Sequence, residues 1–176
     1  KIMSGGFTLS GGEPLLQDRF AVRLLTAAKA IGVHTALDTN GALGDRLSDT
    51  ELQSIDLVLL DIKAWDAGRH RRLTGADVGA VRDFARRLAA QRRPVWLRFV
   101  LVPGWSDDAR DIGEIAAFAA GLGIVERVDV LPFHQLGRFK WQELGLDYEL
   151  SDLEPPTSEV VERACAQFRA AGLTAY

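Results

Sequence analysis

Cysteine is nearly missing from this sequence. The 176 residues contain one, Cys165, which excludes an intramolecular disulfide framework and is expected of a protein from the reducing cytoplasm. The three histidines, His34, His70 and His134, are too scattered to predict a zinc site. No apolar run approaches the roughly 20 residues of a membrane-spanning helix. Disulfide-stabilised, zinc-dependent and membrane-spanning proteins are therefore not indicated.

A strong charge of either sign is also missing. The formal net charge is −3, which gives no support for nucleic acid or an anionic membrane as a partner. Two basic clusters, residues 69–72 and 92–93, lie in helical contexts and are interpreted as solvated helix faces. The length and composition are those of one soluble globular domain covering residues 1–176.

Short apolar runs alternate with helical patterns along the whole chain. Strands are predicted at about residues 7–9, 33–39, 57–60, 95–102 and 127–133, with a short edge strand at 173–176. Helices are predicted at about residues 14–31, 66–73, 77–91, 107–122 and 157–171, with a short one after Ser48 and a loop at 134–150. This alternation predicts an α/β fold with a parallel sheet covered by helices.

The polar residues favour a barrel over a doubly wound sheet. Glu13, Asp38, Asp61 and His134 each fall where a predicted strand ends. In (β/α) barrels the site lies on that rim, because every loop from a strand to a helix converges there. A doubly wound sheet would concentrate such groups at one switch point instead.

The stretch from Gly5 to Pro14 carries the first candidate site. Phe7-Thr8-Leu9 is typical of a buried strand, and Gly11 and Gly12 allow a tight turn that a ligand can approach closely. Glu13 lies at the mouth of that turn, and Pro14 opens a helix. Exposed amides beside one carboxylate suit a ligand with both charges, such as an amino acid moiety. An ordinary turn with two space-saving glycines remains the alternative.

Further candidates follow the later strands. Asp38 and Asp61 end neighbouring strands, so their carboxylates either share a cation or cap the following helices. Lys63 either pairs with Asp61, meets a ligand carboxylate or is solvated. Arg98 lies within a strand and must be paired, which favours a partner among the carboxylates of the rim.

Five stretches together resemble a known family. They are Ser10-Gly11-Gly12-Glu13-Pro14, residues 34–41 (His-Thr-Ala-Leu-Asp-Thr-Asn-Gly), residues 59–63 (Leu-Leu-Asp-Ile-Lys), residues 102–108 (Val-Pro-Gly-Trp-Ser-Asp-Asp) and residues 131–137 (Leu-Pro-Phe-His-Gln-Leu-Gly). This set resembles the radical S-adenosylmethionine (SAM) enzymes that activate glycyl-radical enzymes, and among them the activators of pyruvate formate-lyase. The similarity extends over nearly the whole chain.

The resemblance implies a fold and a binding site. The fold would be a partial (β/α)6 barrel of the radical SAM type whose first βα unit is missing here. The positions that match SAM-binding residues of the family are Gly11, Gly12, Glu13, Asp61, Ile62, Lys63 and His134. The match of Asp38, Thr39 and Asp61 implies a monovalent cation, Na⁺ or K⁺, beside the SAM carboxylate; ligation by oxygen alone suits a hard cation.

The resemblance also implies the chemistry and the partners. A reduced [4Fe–4S] cluster would cleave SAM, and the resulting radical would take a hydrogen atom from a backbone glycine of pyruvate formate-lyase. A flavodoxin-type protein would supply the electron. Trp105 and Trp141 lie in loops of the rim, where they either anchor a protein partner or pack within their loops.

The family's three-cysteine cluster loop is not found in this sequence. We expect the chain to be the C-terminal part of a complete activating enzyme, unable to perform the chemistry alone. Two alternatives remain at this stage: a cluster-free barrel that binds a ligand or partner, and an aldolase-type barrel with Lys63 as a Schiff-base amine.

Overall fold

The computed structural model describes residues 5–176, and its centre is one parallel sheet of five strands. The strands are β1 (Gly6–Leu9), β2 (His34–Thr39), β3 (Leu57–Asp61), β4 (Val95–Leu101) and β5 (Val125–Pro132). They lie side by side in the order of the sequence, β1-β2-β3-β4-β5, and every neighbouring pair is parallel. Residues 1–4, which the single-domain prediction includes, lie outside the described residues.

Helices connect the strands. They are α1 (Asp18–Ala30), α2 (Asp49–Leu52), α3 (Ala67–Thr74), α4 (Val78–Ala90), α5 (Ala109–Leu122), α6 (Arg138–Glu143) and α7 (Ser158–Ala170). Parallel crossovers are right-handed, and the strand order never reverses, so the helices between strands all cover the same face of the sheet. The sheet thus has no switch point and curves as part of a barrel, which confirms the predicted fold class.

The core lies between the sheet and the helices. Along β4, the side chains of Val95, Leu97, Phe99 and Leu101 are buried, whereas the alternate residues face the concave side and are partly exposed. Phe99 meets Phe168 of α7 edge to face, with ring centroids 5.7 Å apart. The alternation leaves the concave face of the sheet for polar residues.

Helix ends are set by local signals in the sequence. Ser48 and Glu51 form a capping box at α2, and aspartates accept backbone hydrogen bonds at the starts of α3, α4 and α5. The predicted loop at 134–150 differs from the structure, because it contains α6. This helix is only six residues long and its residues are exposed, so it lacks the buried apolar stripe by which longer helices are recognised.

The two edges of the sheet are covered differently. At β5 the end of the chain adds a short parallel bridge between Val128 and Ala175, as predicted. At the other edge, β1 pairs only with β2 within residues 5–176. On this same end of the fold Leu16, Phe20 and Ile31 are 60–79% exposed. Strand edges of this kind can pair with further strands. No helix in the described part of the chain is long and apolar enough to cross a membrane.

Asp56 ties β2 and α1 to the start of β3. Its carboxylate accepts hydrogen bonds from the Thr35 amide (2.9 Å) and hydroxyl (3.0 Å), and it forms an ion pair with Lys29. Burial raises the pKa of Asp56, but the bonds from Lys29 and Thr35 outweigh that effect and lower it from 3.8 to about 2. Asp56 thus stabilises the fold through its charged form.

This pKa gives a pH-dependent prediction. The contribution of Asp56 is complete above pH 3.8 and is lost as the pH falls toward 2. Asp56→Asn should lower the free energy of unfolding at pH 7 by about 1–2 kcal/mol, a figure reduced because Lys29 is partly exposed. Urea unfolding of both proteins between pH 7 and pH 2 measures this difference. It should shrink below pH 3.8, and a difference independent of pH would contradict the assignment.

Candidate functional site

Polar residues meet where the strands end. We use the term rim for the carboxyl-terminal ends of the strands with the first residues after them: Ser10–Glu13 after β1, Asp38–Gly41 at β2, Asp61–Lys63 at β3 and His134 after β5. Because the strands are parallel and adjacent, these segments lie along one edge of the sheet. The rim contains every residue for which a role in binding SAM or a cation was predicted.

The glycine turn after β1 is open to solvent. Gly11 and Gly12 are exposed, and a β-carbon added at either would meet no atom within 4 Å. Gly11 has φ = 154°, a backbone angle that favours glycine. The turn therefore offers its backbone to a ligand without obstruction.

Glu13 is held by three hydrogen bonds within the protein. Its Oε1 accepts from the Leu15 amide at 3.0 Å and from the Thr39 hydroxyl at 2.8 Å. Its Oε2 accepts from the Asn40 amide at 2.9 Å. Thr39 is only 2% exposed, and its hydroxyl oxygen also accepts from the Gly41 amide at 3.1 Å. Glu13 thus connects the turn after β1 with the turn after β2.

Asp38 is paired with Arg98, which confirms the predicted partner for this arginine. Both Asp38 oxygens lie 2.8 Å from Arg98 Nη1, and Oδ2 also accepts from the Ser10 hydroxyl at 2.9 Å. In the sheet, Arg98 is in register with Asp61 on β3, so its side chain crosses β3 to reach β2. The negative charge of Asp38 is therefore balanced by a residue two strands away.

Within residues 5–176, one oxygen of Asp61 has no hydrogen-bond partner. Its Oδ2 pairs with Lys63 Nζ at 3.0 Å, whereas its Oδ1 is buried without a hydrogen-bond partner. Buried carboxylate oxygens are nearly always bonded, so Oδ1 is a candidate ligand contact. Between these residues, Ile62 is 1% exposed and its amide donates to the Arg98 carbonyl at 3.1 Å. A ligand on the rim can therefore reach Ile62 only through its remaining backbone atoms.

His134 is exposed at the end of β5. Its Nδ1 accepts from the Leu136 amide at 3.3 Å and caps the short 3-10 turn that follows. Since this bond uses Nδ1, Nε2 is the ring nitrogen that remains for a ligand.

The two tryptophans predicted in loops of the rim make local contacts. Trp105 lies under the guanidinium of Arg72 at 3.9 Å from ring centroid to Cζ, and Trp141 stacks on Tyr148 with centroids 5.4 Å apart. The two tryptophans line a common pocket of about 170 Å³. Both are engaged in packing, and Trp141 remains 42% exposed.

Sequence reasoning missed two residues that support the rim. Ser10 was noted only as part of its motif, yet its hydroxyl holds Asp38. Asp111 in the first turn of α5 is 5% exposed and accepts from the amides of Trp65 and Asp66 at 2.7 Å. It fixes the loop after Lys63. An acid in the first turn of a helix is common, so the sequence carries no signal that distinguishes Asp111.

The arrangement suits a small zwitterionic ligand. Open backbone groups after β1, a carboxylate with a free oxygen and a lysine at β3, and an exposed imidazole after β5 face the same rim. Within residues 5–176 no group of three or more His, Cys, Asp or Glu side chains could hold a metal ion.

Comparison with known proteins decides the family. The model of the radical SAM superfamily matches residues 2–119, which include the rim segments after β1, β2 and β3. The chain belongs to the radical SAM superfamily. SAM and a [4Fe–4S] cluster are the cofactors of this family, as the resemblance implied.

Individual relatives are similar over most of the chain. The pyruvate formate-lyase-activating enzymes of Staphylococcus epidermidis and Staphylococcus aureus (strain USA300) are 46% and 48% identical over 166 residues, which is 91% of this chain. The chain spans 66% of the length of each. A crystal structure of a domain of pyruvate-formate lyase-activating enzyme from Bacteroides vulgatus superimposes with a TM-score of 0.80 at 26% identity, over 98% of both chains.

The rim of this radical SAM chain fits SAM but not the cluster. The buried Asp61 Oδ1 and the open glycine turn are the features expected of a site for its amino acid moiety. The cluster needs three thiolates, and the sequence has one cysteine. Cys165 is 2% exposed within α7, and burial raises the pKa of its thiol. The residues of this chain therefore do not form a cluster site.

Proposed function

We propose that this chain is the SAM-binding part of an activating enzyme for pyruvate formate-lyase. The observation that carries the proposal is the convergence of the glycine turn, Asp61, Lys63 and His134 on one rim. The comparisons support the proposal, because the chain is 46–48% identical to two enzymes of that name. The substrate would then be another protein, whose backbone glycine becomes a radical.

The residues of the rim would divide the recognition of SAM among themselves. The backbone at Gly11 and Gly12 would meet the amino group, because nothing obstructs it there. Asp61, the backbone of Ile62, Lys63 and His134 would meet the rest of the molecule. Their common role is to orient the cofactor and exclude water, since the cofactors supply the electron transfer and the radical chemistry when bound.

A monovalent cation, Na⁺ or K⁺, is part of the proposal. Asp61 Oδ1 is its best protein ligand, because this oxygen is buried and has no other partner. Asp38 and Thr39 already bond to Arg98, Ser10 and Glu13, so each would offer only a remaining lone pair. The SAM carboxylate would complete the site, and binding of the cation and SAM would be coupled.

The proposal includes two protein partners in the cytoplasm. One is the glycyl-radical enzyme, and the other is an electron donor of the flavodoxin type. A large partner needs a docking surface near the rim. The segment after His134 has five exposed apolar residues: Leu136, Phe139, Trp141, Leu144 and Leu146. Exposed apolar patches of this kind often mark protein contacts, which supports a macromolecular substrate.

The aldolase alternative is disfavoured by the state of Lys63. Its ammonium group lies 3.0 Å from the Asp61 carboxylate. An amine held in an ion pair with a carboxylate is not free to attack a carbonyl group, which Schiff-base formation requires. The match to the radical SAM superfamily also argues against an aldolase.

The proposed function predicts that the 176 residues are inactive by themselves. Anaerobic reconstitution with iron and sulfide should give a colourless protein that does not cleave SAM, because the cluster needs three thiolates and the sequence has one cysteine. A fusion of this chain to the remaining part of the Staphylococcus aureus relative, of which it spans 66%, should bind a [4Fe–4S] cluster. It should also produce an electron paramagnetic resonance signal on pyruvate formate-lyase. Failure of that fusion to generate the radical, with the Staphylococcus aureus enzyme as the positive control, would refute the proposed function.

A further inference from the structure

We propose that Glu13 is a positioning residue that locks the turn after β2 to the turn after β1, rather than a direct ligand of the SAM amino group. The inference rests on the proposed function in one respect: it takes the rim to be the SAM site. The turn after β2, residues 38–41, is the part of the rim assigned to the carboxylate of SAM and its cation. Glu13 would thus act on the α-carboxylate of SAM and not on the neighbouring α-amino group, which its place in the glycine turn suggests.

The hydrogen bonds of Glu13 carry this inference. An ionised carboxylate has about four acceptor sites, and three of them are used by Leu15, Thr39 and Asn40 at 2.8–3.0 Å. Two of the three donors are the backbone amides of Leu15 and Asn40, and each donates to Glu13 in these bonds. Hydrogen bonds to a charged acceptor are stronger than neutral ones. A ligand would compete poorly for a carboxylate already held in this way.

The bonds continue beyond Glu13 into the second turn. The Thr39 hydroxyl donates to Glu13 and accepts from the Gly41 amide. A second bond, from Ser10 to Asp38, connects the same two turns. Loss of Glu13 would therefore release Thr39 and Asn40, and the bond from Ser10 to Asp38 would remain as a link between the two turns. We therefore expect the residues that would bind the SAM carboxylate to be displaced, whereas the backbone of the glycine turn should keep its conformation.

Glu13→Gln removes one of these bonds whichever way its amide group lies. If the Gln NH₂ group lies in place of Oε2, it faces the Asn40 N–H; in place of Oε1, it faces the Leu15 N–H. One backbone amide therefore loses its acceptor in either orientation. The loss is more unfavourable at Leu15, which is buried, than at Asn40, which is exposed. Glu143→Gln is the matched control, because Glu143 is exposed on α6 and carries the same substitution.

The first measurement needs no ligand. Hydrogen exchange of this chain measures the exchange rates of the backbone amides of Leu15, Asn40 and Gly41. In Glu13→Gln we expect at least one of them to exchange about ten-fold faster, the change for roughly 1.4 kcal/mol. The Val128 amide, bonded at the far edge of the sheet, should be unchanged, as should all four in Glu143→Gln. Unchanged exchange at all three turn amides would overturn the proposal, whether or not SAM binds.

The second measurement separates positioning from direct contact. Calorimetry compares SAM with decarboxylated SAM, which keeps the amino group but lacks the carboxylate. If Glu13 positions the second turn, Glu13→Gln lowers the affinity for SAM about ten-fold or more. It lowers the affinity for decarboxylated SAM about three-fold or less. Equal losses for both ligands would show direct contact with the amino group and overturn the inference.

A second variant covers the case in which Glu13→Gln does not fold. Thr39→Val removes the hydroxyl at the other end of the bond with little change in shape, and it should give the same difference between the two ligands. Equal losses in this variant would also overturn the inference. If the parent chain binds neither ligand, the proposed function fails in this chain, and the exchange measurement still decides the role of Glu13.

Discussion

Gly41→Ala is expected to lower the free energy of unfolding by about 2–5 kcal/mol. Gly41 has φ = 75°, a conformation that costs other residues roughly 1–2 kcal/mol. An added β-carbon would also lie 2.6 Å from Leu60 Cδ1 and 3.3 Å from Val81 Cγ1. Both side chains are at most 1% exposed, so they have little room to move, and overpacking adds about 1–3 kcal/mol.

Gly75→Ala is the matched control for this prediction. Gly75 has nearly the same backbone angle, φ = 73°, but its added β-carbon would meet no atom within 4 Å. We therefore expect a loss of only about 1–2 kcal/mol, from the backbone alone. Urea unfolding of the parent and both variants measures the two values. Equal losses of unfolding free energy in the two variants would show that contacts with Leu60 and Val81 do not restrict the space at Gly41.

The fold was predictable because its signals are local. Most strands are short runs rich in apolar residues. Ser48, Asp77 and Gly123 lie at helix ends, which they mark by chemistry that needs no tertiary information. The barrel was predictable from the polar residues that fall at the ends of successive strands. α6 was not predicted, since a short exposed helix leaves no periodic apolar signal in the sequence.

The site was predictable only in part. The glycine turn, Asp38, Asp61 and His134 are visible as polar residues at strand ends, and the pairing of Arg98 follows from its place within a strand. The bonding of Glu13 could not be predicted, because it depends on the register of β1 and β2, which places Leu9 opposite Leu37. The sequence shows an acid beside a glycine turn and does not show which donors surround it.

Asp61→Asn is expected to weaken SAM binding about ten- to hundred-fold. Asp61 provides a buried oxygen that has no partner in the described part of the chain, and its other oxygen lies 3.0 Å from Lys63 Nζ. The substitution keeps the shape but removes the charge that a cation and Lys63 both need. Loss of a charge-assisted contact costs roughly 1.5–3 kcal/mol, which gives this range of affinity.

Calorimetric titration of SAM into the chain at several potassium concentrations tests the central claim that the rim is the SAM site. Asp83→Asn is the control, because Asp83 lies on α4, pairs with Arg86 on the same helix and has a side chain that is 76% exposed. The account predicts that the parent and Asp83→Asn bind SAM alike, more tightly as potassium rises. In Asp61→Asn the affinity and its response to potassium should fall together. Binding by Asp61→Asn as tight as that of the parent, with the same response to potassium, would contradict the account.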